Sequence, residues 1–155
     1  MKQSAGILLF KKVNKKIEVL LVHPGGPFWK NKDLGSWSVP KGEFADEETA
    51  RDAARREFKE ETGIAITETE KLLPLTTIKQ KSGKLIYAWA VEKDIDTTAI
   101  KSNHFEIEWP PKSGQLKSFP EIDKAQWFSP EEAMQKINSS QAAFIIELQQ
   151  LLSAK

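Results

Sequence analysis

Two short runs rich in β-branched residues and leucine, residues 5–10 and 18–22, open the chain. The polar stretch between them, 11–16 with Asn14 inside it, separates them as a turn separates paired strands. From 23 to 40 any period is lost. Pro24, Gly25, Gly26, Pro27, Gly35 and Pro40 interrupt a segment that also carries Phe28, Trp29 and Trp37, which predicts a long loop bearing aromatics that a surface loop ordinarily avoids. Residues 47–62 are all tolerable helix formers with acids crowding the start, and Gly63 stands where a C-cap is wanted, so a helix is predicted there with a strand beginning at 64–66. Residues 72–79 and 84–91 flank Ser82-Gly83 and read as a hairpin, while 94–101 has no clear pattern. A second long loop is expected over 109–120, before a short strand at 125–128. Ser129, Pro130, Glu131 and Glu132 supply an N-cap, a proline at the first helical position and an acidic first turn, which predicts a helix to about Ile137. Residues 141–152 read as a last helix with Phe144, Ile145, Leu148, Leu151 and Leu152 on one side. Strands, helices and hairpins in this mixture imply an α/β fold, a sandwich built on a mixed sheet.

The helix predicted at 47–62 carries a stripe that changes character along its length. At about 100° per residue, Ala50, Ala53, Ala54, Glu60 and Glu61 all fall within about 60° of Glu57. Three alanines allow close approach to the protein body, and three carboxylates then point the same way. Like charges three and four residues apart repel, and turning them inward costs desolvation besides, unless something positive occupies the space between them. Oxygen ligands without His or Cys suit Mg²⁺ or Mn²⁺, which keep several waters and bind phosphates beside carboxylates. A solvated acidic face paired with Arg56 and Lys59 is the plainer reading of an acidic helix in general, but the alanine stripe and the preceding loop favour the metal.

Composition narrows the choice. The 155 residues, 39% hydrophobic and 29% charged, fit one domain over residues 1–155 that buries roughly 70% of its extended-chain surface. A formal charge of +1 gives no overall basic field for long nucleic acid or an anionic membrane, so any anion site must be local. The absence of Cys removes disulfides and thiolate chemistry, and two distant histidines, His23 and His104, exclude a multi-His zinc centre. The run at 5–10 is too short for a signal-peptide core, and no apolar stretch approaches the roughly 20 residues of a membrane span. A soluble, cytoplasmic protein is expected, monomer or homodimer.

Gly42, Glu48, Arg56-Glu57-Phe58, Glu60-Glu61 and Gly63-Ile64 match the Nudix box, G-x5-E-x7-R-E-U-x-E-E-x-G-U, at every fixed position and spacing over residues 42–64. Only Phe58 departs softly, standing where an aliphatic residue is usual. With the flanking strands and the helical C-terminus, nearly the whole chain resembles a Nudix hydrolase. The resemblance implies an α/β/α sandwich and hydrolysis of a nucleoside diphosphate linked to another group, by water attack on a phosphorus in the presence of Mg²⁺ or Mn²⁺. It implies Glu57 and Glu61 as metal ligands, Glu60 as a third ligand or water holder, and the Gly42 carbonyl as a further oxygen. It makes Glu57 a candidate base and gives Arg56 the task of orienting the acids. Glu48, about 180° from Glu57 on an ideal helix, is expected to be structural or reached through a distorted first turn. Several family members supply another carboxylate six residues before a Trp, a position held here by Glu121 ahead of Trp127, with Asp123, Glu106 and Glu108 as competitors.

Lys41 adjoins the metal-binding turn, where an ammonium could meet a polyphosphate. Trp37-Ser38-Val39-Pro40-Lys41-Gly42 is similar to the approach in diadenosine polyphosphate hydrolases and diphosphoinositol polyphosphate phosphohydrolases. A base-stacking face could come from Trp29 or Trp37. Lys79, Lys81 and Lys84 could add positive charge from the hairpin but read first as edge-protecting charges, and the two histidines as satisfied loop residues. The expected substrate is a small nucleotide, first a dinucleoside polyphosphate such as diadenosine tetraphosphate and second a nucleoside triphosphate, oxidised or not. A nucleotide sensor that has lost catalysis is disfavoured because every box carboxylate is kept.

Overall fold

A computed structural model describes residues 2–153. Strands β1 (Gln3–Val13) and β2 (Lys16–Pro24) form the expected hairpin and extend past the apolar runs, pairing Lys11 with Glu18 and Lys12 with Ile17. Asn14 and Lys15 turn the corner with φ of 52° and 68°, the left-handed pair that matches a hairpin to the twist of its strands. After a long irregular loop and the short strand β3 (Lys41–Glu43) comes helix α1 (Ala50–Thr62). It starts three residues later than predicted because Thr49 caps it, its hydroxyl accepting from the Asp52 N–H at 3.2 Å, which leaves Glu47 and Glu48 outside the helix. Gly63 ends it at φ 78° and donates to the Lys59 carbonyl, as its position in the sequence foretold.

The strand expected at 72–79 is split into β4 (Leu73–Pro74) and β5 (Ile78–Lys79), both antiparallel to β6 (Leu85–Glu92). Between them the Thr76 N–H and hydroxyl leave the ladder for the Glu147 carboxylate, at 2.7 and 2.9 Å. Residues 64–66 form no strand; Ile66 is buried under α1 instead. The loop expected at 109–120 is also corrected. Strands β7 (His104–Glu108) and β8 (Leu116–Pro120) pair as a separate two-stranded ribbon, and Glu108 closes its tip by accepting from the Lys112 and Gly114 N–H groups at 2.9 and 3.2 Å. The chain continues through β9 (Ile122–Phe128), α2 (Pro130–Lys136), a 3₁₀ turn at Ser139–Gln141 and α3 (Ala142–Ser153). Phe144, Ile145 and Leu148 of α3 are buried, whereas Leu151, placed on the same side by the sequence, is 40% exposed.

The main sheet runs β4-β6-β1-β2-β9, with β1 and β6 parallel and the other pairs antiparallel. Alternation along β1 builds both layers. Ala5, Ile7 and Leu9 join Leu20 and Val91 against Ala53, Ala54 and Phe58 of α1, while Leu8 and Phe10 join Val19, Leu21, Ile86 and Ala88 against Ala133 of α2 and Phe144, Ile145 and Leu148 of α3. This is the expected α/β/α sandwich. Fully burying a side chain such as Phe58 stabilises it by roughly 1.5–3 kcal/mol.

One topological feature positions everything that follows. The N-terminal part of β1 pairs with β3 through Ser4, Ala5 and Gly6, and its C-terminal part pairs with β2 from Phe10 onward. Having parted from β1, the outer half of β2 runs beside β9 and bridges only Ser38 through Val22. A fork opens between the end of β2 and β3, with the last turns of α1 beside it.

Candidate active site

Glu57 faces β3. Its carboxylate lies against Gly42 so closely that a Cβ built there would come within 1.9 Å of Oε2 and 2.1 Å of Cδ, so the missing side chain at 42 is the space the carboxylate occupies. Only 12% of the Glu57 side chain is exposed, and burial pushes its pKa above the ordinary carboxylate range despite the Arg56 hydrogen bond that opposes it. One turn on, Glu61 accepts the Lys41 backbone N–H at 3.1 Å. Burial raises its pKa to about 8, with the Glu57 and Glu121 charges adding to the rise. Glu60, next to them on the helix but 40% exposed, accepts from Arg56 Nη1 at 3.2 Å. The three acids predicted to share a face therefore differ in depth, with Glu57 and Glu61 inward and Glu60 at the rim.

Arg56 gathers these groups. Its Nε and Nη2 donate to the two Glu48 oxygens, both at 2.9 Å, and Nη1 donates to Glu57 Oε1 at 2.8 Å. The fork is bidentate on Glu48, and that bond is the main reason the guanidinium holds its proton more firmly than usual. Glu48 stays well below its ordinary value for the same reason. Glu48 thus acts from outside the helix, as a grip on Arg56, consistent with the structural role expected of it.

A cleft of about 250 Å³ occupies the fork in the sheet. Its walls include Val22 and Pro24 from the end of β2, Trp29 and Ser38 from the loop, and Lys41, Glu61 and Glu121. Lys41 is held below its usual pKa chiefly by burial and secondly by Lys84, whose ammonium also pairs with Glu43 at 3.4 Å. Lys84 therefore contributes charge near the cleft, the second of the two readings the sequence offered for it beside sheet-edge protection. Glu121 enters from the β8–β9 junction. Its competitors are engaged elsewhere, Asp123 with His23 at 2.8 Å and Glu108 at the ribbon tip, and Glu106 lies on β7 outside this cleft.

Trp37 corrects an expectation. It is 3% exposed, packs edge-on against His23 and Phe128, and donates its indole N–H to Asp33 at 2.8 Å, so it belongs to the core and offers no face to a base. Trp29 is 39% exposed on the cleft wall and keeps the stacking role open. His23 is buried at the end of β2 rather than in a loop, with Nε2 2.6 Å from the Lys32 carbonyl. Sequence reasoning missed Gln141. Buried below the cleft, it accepts the Val39 N–H at 3.0 Å and donates to Ser38 at 3.1 Å, fixing the approach to β3 from a helix about a hundred residues away, a separation no local pattern reveals.

Among the described residues no three acids or histidines stand close enough to form a ready-made metal cage. The donor chemistry nevertheless fits a hard divalent cation. Glu57 and Glu61 are desolvated oxygen donors, the Glu57 charge helps to raise the Glu61 pKa, Glu121 adds a third negative charge, and the cations Arg56 and Lys41 sit at the edges.

The NUDIX domain family model matches residues 2–148. Among solved structures, the Caenorhabditis elegans Ap4A hydrolase binary complex superposes with a TM-score of 0.69 at 21% identity, covering 98% of this chain and 99% of that one. The NUDIX domain of Shewanella oneidensis NrtR complexed with ADP ribose gives 0.63 at 16% identity, over 97% and 87%. At these identities the likeness is one of fold. An RNA pyrophosphohydrolase of Dinoroseobacter shibae is 45% identical over 42 residues, a stretch that spans 27% of this chain and 26% of that protein.

Proposed function

Since the chain belongs to the NUDIX family, whose members are pyrophosphohydrolases that generally use divalent metal ions, we propose that it hydrolyses a pyrophosphate bond in a dinucleoside polyphosphate such as diadenosine tetraphosphate, with Mg²⁺ or Mn²⁺. The observation that carries this reading is the pair of desolvated carboxylates, Glu57 against Gly42 and Glu61 on the Lys41 N–H, beside a cleft that also holds a half-buried lysine.

Glu57 and Glu61 would hold the metal, with Glu60, Glu121 and the Gly42 carbonyl completing an all-oxygen set. When bound, the ion supplies Lewis acidity at phosphoryl oxygens and lowers the pKa of nearby water. Glu57 accepts the proton of the attacking water. The water oxygen bonds to phosphorus, the bridging P–O bond breaks, and the leaving phosphate carries away the electron pair. Arg56 keeps Glu57 and Glu60 aimed while Glu48 keeps Arg56 in place. Lys41 places an ammonium against the phosphate chain, and Trp29 offers an indole face to the base. Positioning and charge neutralisation supply most of the rate in phosphoryl chemistry of this kind.

The size of the cleft, about 250 Å³, favours a second substrate reading, a nucleoside triphosphate filling it alone. A product-resolved assay across dinucleoside polyphosphates, ordinary and oxidised triphosphates and ADP-ribose, with each metal, separates the two. Glu57→Gln should abolish metal-dependent product while leaving nucleotide binding largely intact. Undiminished turnover in that variant would refute the assignment.

A further inference from the structure

The β7–β8 ribbon is not used by the chemistry above, yet it forms one wall of a second cleft, about 540 Å³, whose other wall is the loop after β2. Pairing within the ribbon puts Phe105, Ile107, Lys117 and Phe119 on one face, and that face is turned to the loop: Phe105 abuts Gly26, where a Cβ would come within 2.8 Å of its ring. Trp109 of the cleft lining meets Phe28 edge-to-face at 5.4 Å although Phe28 is 57% exposed. Aromatic surface held open to water in this way is costly unless something covers it. The charges beside it are Lys30, Lys117 and Asp123. Asp123 is hydrogen-bonded to His23, and neither lysine has an ion-pair partner among the described residues, so the cleft combines flat aromatic walls with two lysines against one carboxylate.

This second cleft backs directly onto the first. Along the loop, Trp29 faces the catalytic cleft and Lys30 the second; along the β8–β9 junction, Glu121 and Ile122 face the first, Pro120 and Asp123 the second. A ligand occupying both must cross the crest between them on a flexible linker.

We infer that the cleft between the β7–β8 ribbon and the loop after β2 binds the second nucleoside of a two-base substrate, its base against Trp109 and Phe119 and the adjoining phosphate on Lys30 and Lys117. Aromatic stacking tolerates any base, and the lysines select for phosphate beside it. The inference rests on reading the first cleft as the pyrophosphohydrolase site.

The test compares kcat/KM for diadenosine tetraphosphate and adenosine tetraphosphate, which share a phosphate chain and differ by one nucleoside, in Trp109→Ala, Lys117→Glu and a control, Glu106→Gln, on the opposite face of the ribbon. Calorimetric titration of the metal-free protein with AMP provides a readout independent of turnover. Both cleft variants should lower kcat/KM for the two-base substrate at least tenfold more than for adenosine tetraphosphate and weaken AMP binding at least fivefold, with the control changing neither. Equal effects on the two substrates would overturn the inference, with undiminished AMP binding excluding any nucleotide there and weakened AMP binding pointing to a separate regulatory nucleotide. If the unaltered protein hydrolyses no phosphoanhydride at all, the functional reading fails, an outcome visible before any cleft variant is made.

Discussion

Gly42→Ala isolates the geometry of the site from the stability of the fold. The added Cβ would lie 1.9 Å from Glu57 Oε2, 2.1 Å from Cδ and 2.6 Å from Oε1. Ordinary contact requires the carboxylate to retreat by roughly 1.5 Å. It can do so cheaply, because it is the free end of a flexible side chain, and the backbone pairing of Gly42 with Ala5 does not depend on the side chain. The change in stability should stay within about 1 kcal/mol, helped by the reduced freedom of the unfolded chain. The retreat breaks the 2.8 Å bond from Arg56 and moves the base out of line. A displacement of about 1 Å at a reacting group can cost 10²-fold, so kcat/KM should fall by about two orders of magnitude or more, equivalent to about 2.7 kcal/mol. The measurement pairs steady-state kinetics and metal titration with a melting curve. Alanine keeps the backbone carbonyl, so a site that used residue 42 only through that oxygen would lose nothing. Full activity, or a fall in Tm large enough to explain the loss, would refute the reasoning. Adding Glu57→Asp, one methylene shorter, should make the two losses less than additive by relieving the clash.

The other expectations concern charge and packing. Glu61 has a folded-state pKa of about 8 against an ordinary 4.5, so the folded protein binds its proton more tightly than the unfolded chain, and stability of the metal-free protein should decline as pH rises from about 4.5 to 8, by an amount on the order of a few kcal/mol. Chelator-treated melting curves should show this slope, reduced in Glu61→Gln to the part that Glu57 contributes; a flat profile in the unaltered protein would contradict the burial argument. Glu48→Gln weakens the bidentate hold on Arg56 and should lower kcat about 10- to 100-fold with little effect on KM, because Glu48 touches no substrate; a pure KM effect would instead place it at the ligand. Trp29→Ala should raise KM about tenfold at unchanged Tm, whereas Trp37→Ala should cost about 3–5 kcal/mol in denaturant unfolding, and the reverse pattern would invert the roles assigned here.

Local chemistry sufficed wherever a few neighbouring residues decide an outcome. Gly63, Ser129 and Pro130 mark helix ends within one turn, and the alanine and glutamate stripe of α1 follows from helical rotation alone, so both the acid-bearing helix and the layered fold were legible in the chain, although the Thr49 cap, equally local, went unread and the helix was expected to start three residues early. Contacts between distant segments decided the rest. Glu147 pulls Thr76 out of a strand from seventy-one residues away. The β7–β8 ribbon went unrecognised although β7 alternates, Phe105 and Ile107 against Glu106 and Glu108, because β8 mixes polar and apolar residues on both faces and the ribbon's inner face meets a loop rather than the core. Two tryptophans in one loop looked alike, and only the packing of His23 and Phe128 sent Trp37 inward while Trp29 stayed on the cleft wall. A period in sequence reports which way a residue points from its own backbone; what it then meets depends on where other backbones lie, and that is settled only by the folded chain.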